Sequence, residues 1–273
     1  MKVFLSADLE GIWGVVSRKQ TDSDKPDYGR ARKLMTAEIN LVCEELFKHG
    51  VTEVIVNDSH DSMDNLLIEE LHPDVNLISG YPKDLSMMEG VESGVDCAML
   101  IGYHPKAGTS AGIFDHTYAG QVVNSLTVNG ETIGETGLNA LVAGHFGVPV
   151  VLVAGDRQVT QDALQEIGPI ETVAVKTALS RYCARHLSRN QLKAAYADAV
   201  AKALNDIPRA PVKRHEGSLT LTLELAQAVM ADKAVSIPGV TRQDPLTVTF
   251  EAADAVTLYK VFRAMVTLAG SVL

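Results

Sequence analysis

The sequence predicts an α/β fold: a mostly parallel sheet with helices on both faces, then a smaller C-terminal α+β domain. Three observations carry this. Short apolar runs alternate with helical patterns from the first residues onward. Some runs, Val148 to Ala154 above all, are apolar at consecutive positions, as strands covered on both faces are. Beyond Pro208 the texture changes: Pro208, Arg209, Pro211 and Lys213-Arg214 mark a linker, and the strands after it alternate polar with apolar residues. The expected boundary therefore separates residues 1–207 from residues 208–273.

Taken in order, Lys2 to Ala7 reads as a strand. Leu34, Ile39, Val42, Leu46 and Phe47 recur at helical spacing, so Asp27 to His49 reads as a helix with Gly50 at its C-terminal cap. Glu53 to Asn57, Val75 to Ser79 and Val95 to Ile101 follow as strands. Val122 to Val128, Asn129-Gly130 and Glu131 to Ile133 form a hairpin signal with a type I′ turn. Gly134 to Phe146 reads as a helix closed by Gly147. Helices are expected at Gln158 to Ile167 and Arg189 to Leu204, strands at Leu219 to Leu223 and Thr247 to Glu251, and a last helix at Ala253 to Ala269.

Composition narrows the function. The 273 residues are 46% hydrophobic and 21% charged, enough to bury a core and too apolar for disorder. A formal charge of −10 with no basic run argues against a nucleic-acid partner. No apolar run approaches the ~18 residues of a membrane span, so no membrane partner is expected. Cys43, Cys97 and Cys183 are odd in number and far apart, which suggests idle thiols in a reducing cytoplasm, not disulfides or a thiolate metal site.

The chemistry concentrates where apolar strands end. Asp8 and Glu10 stand at i and i+2 just past the first strand, and ligands bind at strand ends in open α/β sheets. Two such anions repel unless a proton or cation lies between them. The strand Val54 to Val56 runs into Asn57-Asp58-Ser59-His60, and Ala98 to Ile101 runs into Gly102-Tyr103-His104. Either histidine alone is an ordinary loop residue. Together with Asp8 and Glu10 they make the carboxylate and imidazole mixture of catalytic metal sites. His116, in a polar loop, is a candidate general base or transition-state donor. Glu135 opens a helix, where the dipole alone favours an acid. His49, His72, His145, His186 and His215 lack this setting and read as structural.

In order along the chain, Ser6-Ala7-Asp8-Leu9-Glu10-Gly11, Val56-Asn57-Asp58-Ser59-His60, Leu71-His72-Pro73 with Leu77-Ile78-Ser79-Gly80, Gly102-Tyr103-His104, Gly134-Glu135-Thr136-Gly137-Leu138-Asn139-Ala140 and Val150 to Asp156 resemble the D-aminopeptidase family of binuclear zinc metallopeptidases. The likeness is strongest over residues 1–160 and is mainly one of pattern at the C-terminus. It implies that Asp8, Glu10, His60, His104 and Glu135 hold two zinc ions, Asp8 bridging them, and that His116 is the catalytic histidine. The loop around His116 departs somewhat from the family pattern. The resemblance also implies a homo-oligomer, a decamer of two stacked five-fold rings.

The expected activity is removal of the N-terminal residue from short peptides by metal-activated water, with D-amino-acid peptides such as D-Ala-D-Ala as substrates. The same ligands would suit another metal-dependent hydrolase, an amidase or a phosphoesterase. A metal-dependent peptide-binding protein without turnover is the reading from a different class. Other divalent metals could use the same oxygen and nitrogen ligands.

Overall fold

The computed structural model describes residues 1–273. Strand β1 (Lys2–Ala7) leads through a short helix α1 (Arg18–Thr21) to the long helix α2 (Tyr28–Lys48) and strand β2 (Glu53–Asp58). Strands β3 (Val75–Ile78), β4 (Cys97–Tyr103) and β5 (Val123–Val128) follow, then the two-residue strand β6 (Glu131–Thr132) and helix α3 (Glu135–His145). Next come β7 (Val150–Asp156), α4 (Arg157–Glu166), β8 (Glu171–Ser180), β9 (Cys183–His186) and α5 (Arg189–Asp206). The chain ends with β10 (Leu219–Leu225), α6 (Ala228–Ala234), β11 (Thr241–Arg242), β12 (Thr247–Ala252) and α7 (Ala255–Gly270).

The main sheet has the order β3-β2-β1-β4-β7-β8-β9, parallel throughout except for the β8–β9 pair. Its apolar strands alternate between two cores. Val3, Leu5 and Ala7 point to the side covered by α2 and α5, whereas Phe4 points to the side of α3, α4 and the second sheet. Burial on both faces is why β4 and β7 are buried at every position. This matches the mostly parallel sheet with flanking helices expected from sequence. The segment 171–186 was not anticipated as strand and supplies β8 and the antiparallel edge β9.

The second sheet is antiparallel, with the order β11-β12-β10-β5-β6. The Asn129-Gly130 turn has φ of 53° and 82°, both positive as a type I′ turn requires. That hairpin pairs β5 with β10, Leu223 opposite Leu126, so residues 208–273 share one sheet and one core with residues 123–132. Buried α7 side chains Leu258, Tyr259, Phe262 and Met265 belong to that same core.

The register at the carboxyl ends positions the site. Ala7 lies opposite Asp58 on one side and Ile101 on the other, so β1 and β2 end level and β4 runs on to Tyr103. The chain winds outward from β1 in both directions, which makes the gap between β1 and β4 a switch point where the following loops diverge and leave a crevice. Gly102 lets the loops approach there: its φ is 77°, and a Cβ on it would stand 2.1 Å from the Asp8 carbonyl oxygen. The Tyr103 carbonyl is pinched between Gly11 and Gly155, where an added Cβ would meet it at 1.9 Å from either residue.

Candidate metal centre

Asp8, Glu10 and His60 converge from the ends of β1 and β2, and their ligand atoms lie within 4.8 Å of one another. His104, after β4, meets His116 and Glu135, the first residue of α3, with the same spacing. Asp8 joins the two groups: its Oδ1 lies 3.5 Å from His60 Nδ1 and its Oδ2 lies 3.6 Å from His104 Nε2. Glu10 Oε2 is 2.9 Å from His60 Nδ1, and Glu135 Oε1 is 3.3 Å from His104 Nε2. Thus the fold brings together all six residues singled out in the sequence.

The orientation of each imidazole is set by a backbone carbonyl. His60 Nε2 bonds the Thr21 carbonyl at 3.0 Å, His104 Nδ1 bonds Pro105 at 3.1 Å, and His116 Nδ1 bonds Phe114 at 2.7 Å. A carbonyl only accepts, so the bonded nitrogen carries the proton. In the neutral ring the other nitrogen then presents a lone pair toward the carboxylates. This is how metal-ligating histidines are held. Helix α1 has a role here: Ser17 and Gln20 form its capping box, and Thr21, its last residue, offers the carbonyl to His60.

The electrostatics are those of a cation site. Burial, with the neighbouring Glu10 charge, pushes the Asp8 carboxyl up to about 7. Burial also works against ionised Glu10 and Glu135, but His60 and His104 outweigh it and hold both carboxyls below the usual range. Conversely, burial opposes protonation of His104, and the Glu135 charge outweighs it and raises the ring to about 10. His60 is raised likewise by Glu10, against burial. His116 moves down, through burial and the adjacent His104. Three carboxylates crowded in one buried place are thus balanced by protons on two imidazoles, the protons that a divalent cation would displace.

The donor set fits divalent metal. Asp8 Oδ2 and Glu10 Oε2 are buried and receive no hydrogen bond; the short Glu10–His60 contact lacks the alignment of one. Buried carboxylate oxygens without donors are rare unless a cation serves them. Carboxylate oxygens and imidazole nitrogens, without thiolate, are the ligands of catalytic zinc.

Several supporting residues were given no role by the sequence reading. Lys176 is buried and donates to the carbonyls of Glu10, Ile12 and Val15 at 2.6, 2.8 and 2.7 Å. Asp156, at the end of β7, accepts from the amides of Ile113 and Val159, tying the His116 loop to the sheet. Tyr118, with φ of 59°, donates its amide to Glu135 Oε1 at 2.6 Å. Asn65 and the Leu66 amide bind the Asp58 carboxylate, and Asn65 also bonds the His60 carbonyl. A single lysine directly after the apolar Val173–Val175 run is the one sequence signal that could have flagged Lys176.

The six residues form the floor of a cavity of about 790 Å³. Its walls come from α1, the 59–63 loop, the 114–122 loop, Arg181 and α7. That volume suits a short peptide.

Known proteins with this architecture agree on a family. The sequence profile of the D-aminopeptidase family matches residues 1–264. A D-aminopeptidase of Bacillus subtilis (strain 168) is 37% identical over 270 residues, covering 98% of each chain. The solved Zn-dependent D-aminopeptidase DppA from Bacillus subtilis, described as a self-compartmentalizing protease, superposes with a TM-score of 0.95 at 37% identity, covering 99% of this chain and 98% of its own. With full-length similarity in both sequence and fold, this chain belongs to the D-aminopeptidase family.

Proposed function

We propose that this chain is a zinc-dependent aminopeptidase that releases the N-terminal residue of short peptides, D-Ala-D-Ala among them, at a centre of two zinc ions. The observation that carries the reading is the pair of buried groups joined by Asp8, each with an imidazole nitrogen aimed at carboxylates. Asp8, Glu10 and His60 hold one ion, and Asp8, His104 and Glu135 hold the other. All five lie within residues 1–207, the metal-binding unit in this reading. Zinc there supplies Lewis acidity, lowering the pKa of water and polarising a carbonyl.

The chain's own groups do the rest. His116 has its Nδ1 tied to Phe114, which leaves Nε2 as the nitrogen that takes up a proton and passes it to the leaving amine. With both ions bound the floor would carry a net positive charge, so an incoming peptide would present its N-terminal amine there in the neutral form, as a lone-pair donor, which favours release of the N-terminal residue. The cavity admits a short chain and has no room for a folded one. We infer a homo-oligomer, which the self-compartmentalizing relative supports, and take it to be a cytoplasmic decamer as the sequence resemblance implies. No helix is long and apolar enough to cross a membrane.

The test pairs metal content with amino-acid release. The wild type should bind two zinc ions per subunit and release alanine from D-Ala-D-Ala faster than from L-Ala-L-Ala, with release abolished by chelator and restored by zinc. Asp8→Asn should lose both ions and the activity together. Full activity of Asp8→Asn after chelation and dialysis would sink the two-ion reading. Zinc-dependent cleavage of an aryl phosphate, with no peptide cleaved, would move the chain to the phosphoesterases.

A further inference from the structure

Three arginines line the cavity of this acidic chain: Arg18, Arg181 and Arg263. They are not equivalent. Arg181 is engaged, its Nη1 lying 3.3 Å from the Asp115 carboxylate and its Nη2 donating to the Asp115 carbonyl at 2.8 Å. Arg18 is exposed on α1. Arg263, on the cavity face of α7, is partly buried, and its guanidinium has neither an ion pair nor a hydrogen bond. It lies over the Tyr118 ring, with Cζ 4.8 Å from the centroid.

That ring is a fixed platform. The Tyr118 hydroxyl donates to Asn139 Oδ1 at 3.0 Å and sits 2.6 Å from the Tyr259 hydroxyl, while Phe262 packs edge-on against the ring. The Tyr118 amide holds Glu135 Oε1 at 2.6 Å. One residue therefore fixes a candidate metal ligand with its backbone and a free cation with its side chain. Glu135, Tyr118 and Arg263 form a series, so the guanidinium stands within a few extended residues of the metal centre, at ~3.3–3.6 Å per residue. An arginine stacked on an aromatic face keeps its planar fork of N–H donors outward, in the geometry that takes a carboxylate in two parallel hydrogen bonds.

We propose that Arg263 is a specificity-determining residue that binds the free C-terminal carboxylate of a short peptide whose N-terminal end lies on the metal centre. The inference rests on the reading of the cavity as a peptidase site. It explains how the cavity would measure substrate length: the anion must fall at the arginine when the scissile carbonyl reaches Glu135 and His104. The next turns of α7 present Val266 and Gly270 to the same space, leaving room there for a small apolar C-terminal side chain.

The experiment compares D-Ala-D-Ala with its C-terminal amide in the wild type, in Arg263→Met and in Arg263→Lys. Binding of both peptides to metal-free protein is measured by calorimetry, and KM and kcat are measured on zinc-loaded protein. The wild type should prefer the acid over the amide by about 10- to 100-fold, the range for a charge-assisted bidentate contact. In Arg263→Met that ratio should fall to near one, through KM more than kcat, and Arg263→Lys should retain part of it. An unchanged acid-to-amide ratio in Arg263→Met overturns the proposal, as does equal loss on both peptides, which would mark a structural role. A wild type that discriminates in binding but cleaves neither peptide supports the arginine's role while refuting the peptidase reading.

Discussion

The imidazoles of His104 and His116 stack face to face, with ring centroids 4.0 Å apart and planes 7° from parallel. Both Nε2 atoms approach Glu135 Oε1, at 3.3 Å for His104 and 3.9 Å for His116. Geometry alone would admit either ring as a ligand. Two differences separate them. His104 also reaches Asp8, the residue shared by both groups, and its side chain is 2% exposed. His116 reaches no second carboxylate at that range and keeps 19% of its side chain open to the cavity.

The separation predicts opposite phenotypes. His104→Ala should lose one zinc equivalent or more. His116→Ala should keep both ions and lose kcat by about 10²–10⁴-fold, the range for removing a general acid–base. Zinc per subunit by plasma mass spectrometry, alongside kcat, checks both. A zinc deficit in His116→Ala would make that ring a ligand and leave proton transfer to another group.

A second prediction concerns the loop that carries Glu10. Lys176 gathers three carbonyls of residues 10–15; Ile12 also accepts from the Val15 amide at 3.1 Å, whereas Glu10 and Val15 accept from the lysine alone. Lys176→Met keeps the chain length and leaves the Glu10 and Val15 carbonyls unsatisfied, at ~1–3 kcal/mol each. Removal of a buried cation offsets part of that. A net loss of roughly 3 kcal/mol is expected, with weaker zinc binding because the Glu10 backbone loses its anchor. Thermal unfolding and zinc competition against a chromophoric chelator measure the two effects. Unchanged zinc affinity would show that the loop holds its shape without the lysine.

What could be read in the sequence, and what could not, follows from how far each signal extends along the chain. The strand ends were legible because parallel strands buried on both faces leave unbroken apolar runs, and the polar residues that interrupt them are conspicuous: Asp8 after Ala7, His60 after Val56, His104 after Ile101. Glu135 was less so, since a helix N-terminus explains an acid there without any metal. The β8–β9 segment was missed because its burial alternates poorly, with Leu179 68% exposed at its tip. Helix α6 is seven residues long, too short to show a period. The pairing of β5 with β10 joins distant parts of the chain, and no local pattern encodes it. Lys176 and Arg263 look in sequence like any solvated charge. Only the fold reveals that one points into the protein and the other across a cavity.

The last prediction is a pH dependence that does not involve the metal ligands. Glu38, on α2, is buried and accepts from the Trp13 amide at 2.7 Å and the Tyr196 hydroxyl at 2.6 Å. Burial raises its carboxyl from 4.5 to about 7, against the pull of those two donors and of Lys176. Between these values the folded protein holds a proton that the unfolded chain has released, so stability falls as pH rises from 4.5 to about 7. The full change is on the order of 3 kcal/mol for this group alone. Glu38→Gln does not titrate. Its Oε1 can still accept from Tyr196, while its amide nitrogen cannot accept from Trp13, which imposes a constant penalty at every pH. The stability difference between wild type and Glu38→Gln, from urea unfolding at fixed zinc, should therefore favour the wild type most at pH 5 and shrink steadily toward pH 7.5. A difference independent of pH would mean that Glu38 is ionised throughout, and that Lys176 with the two donors compensates its burial in full.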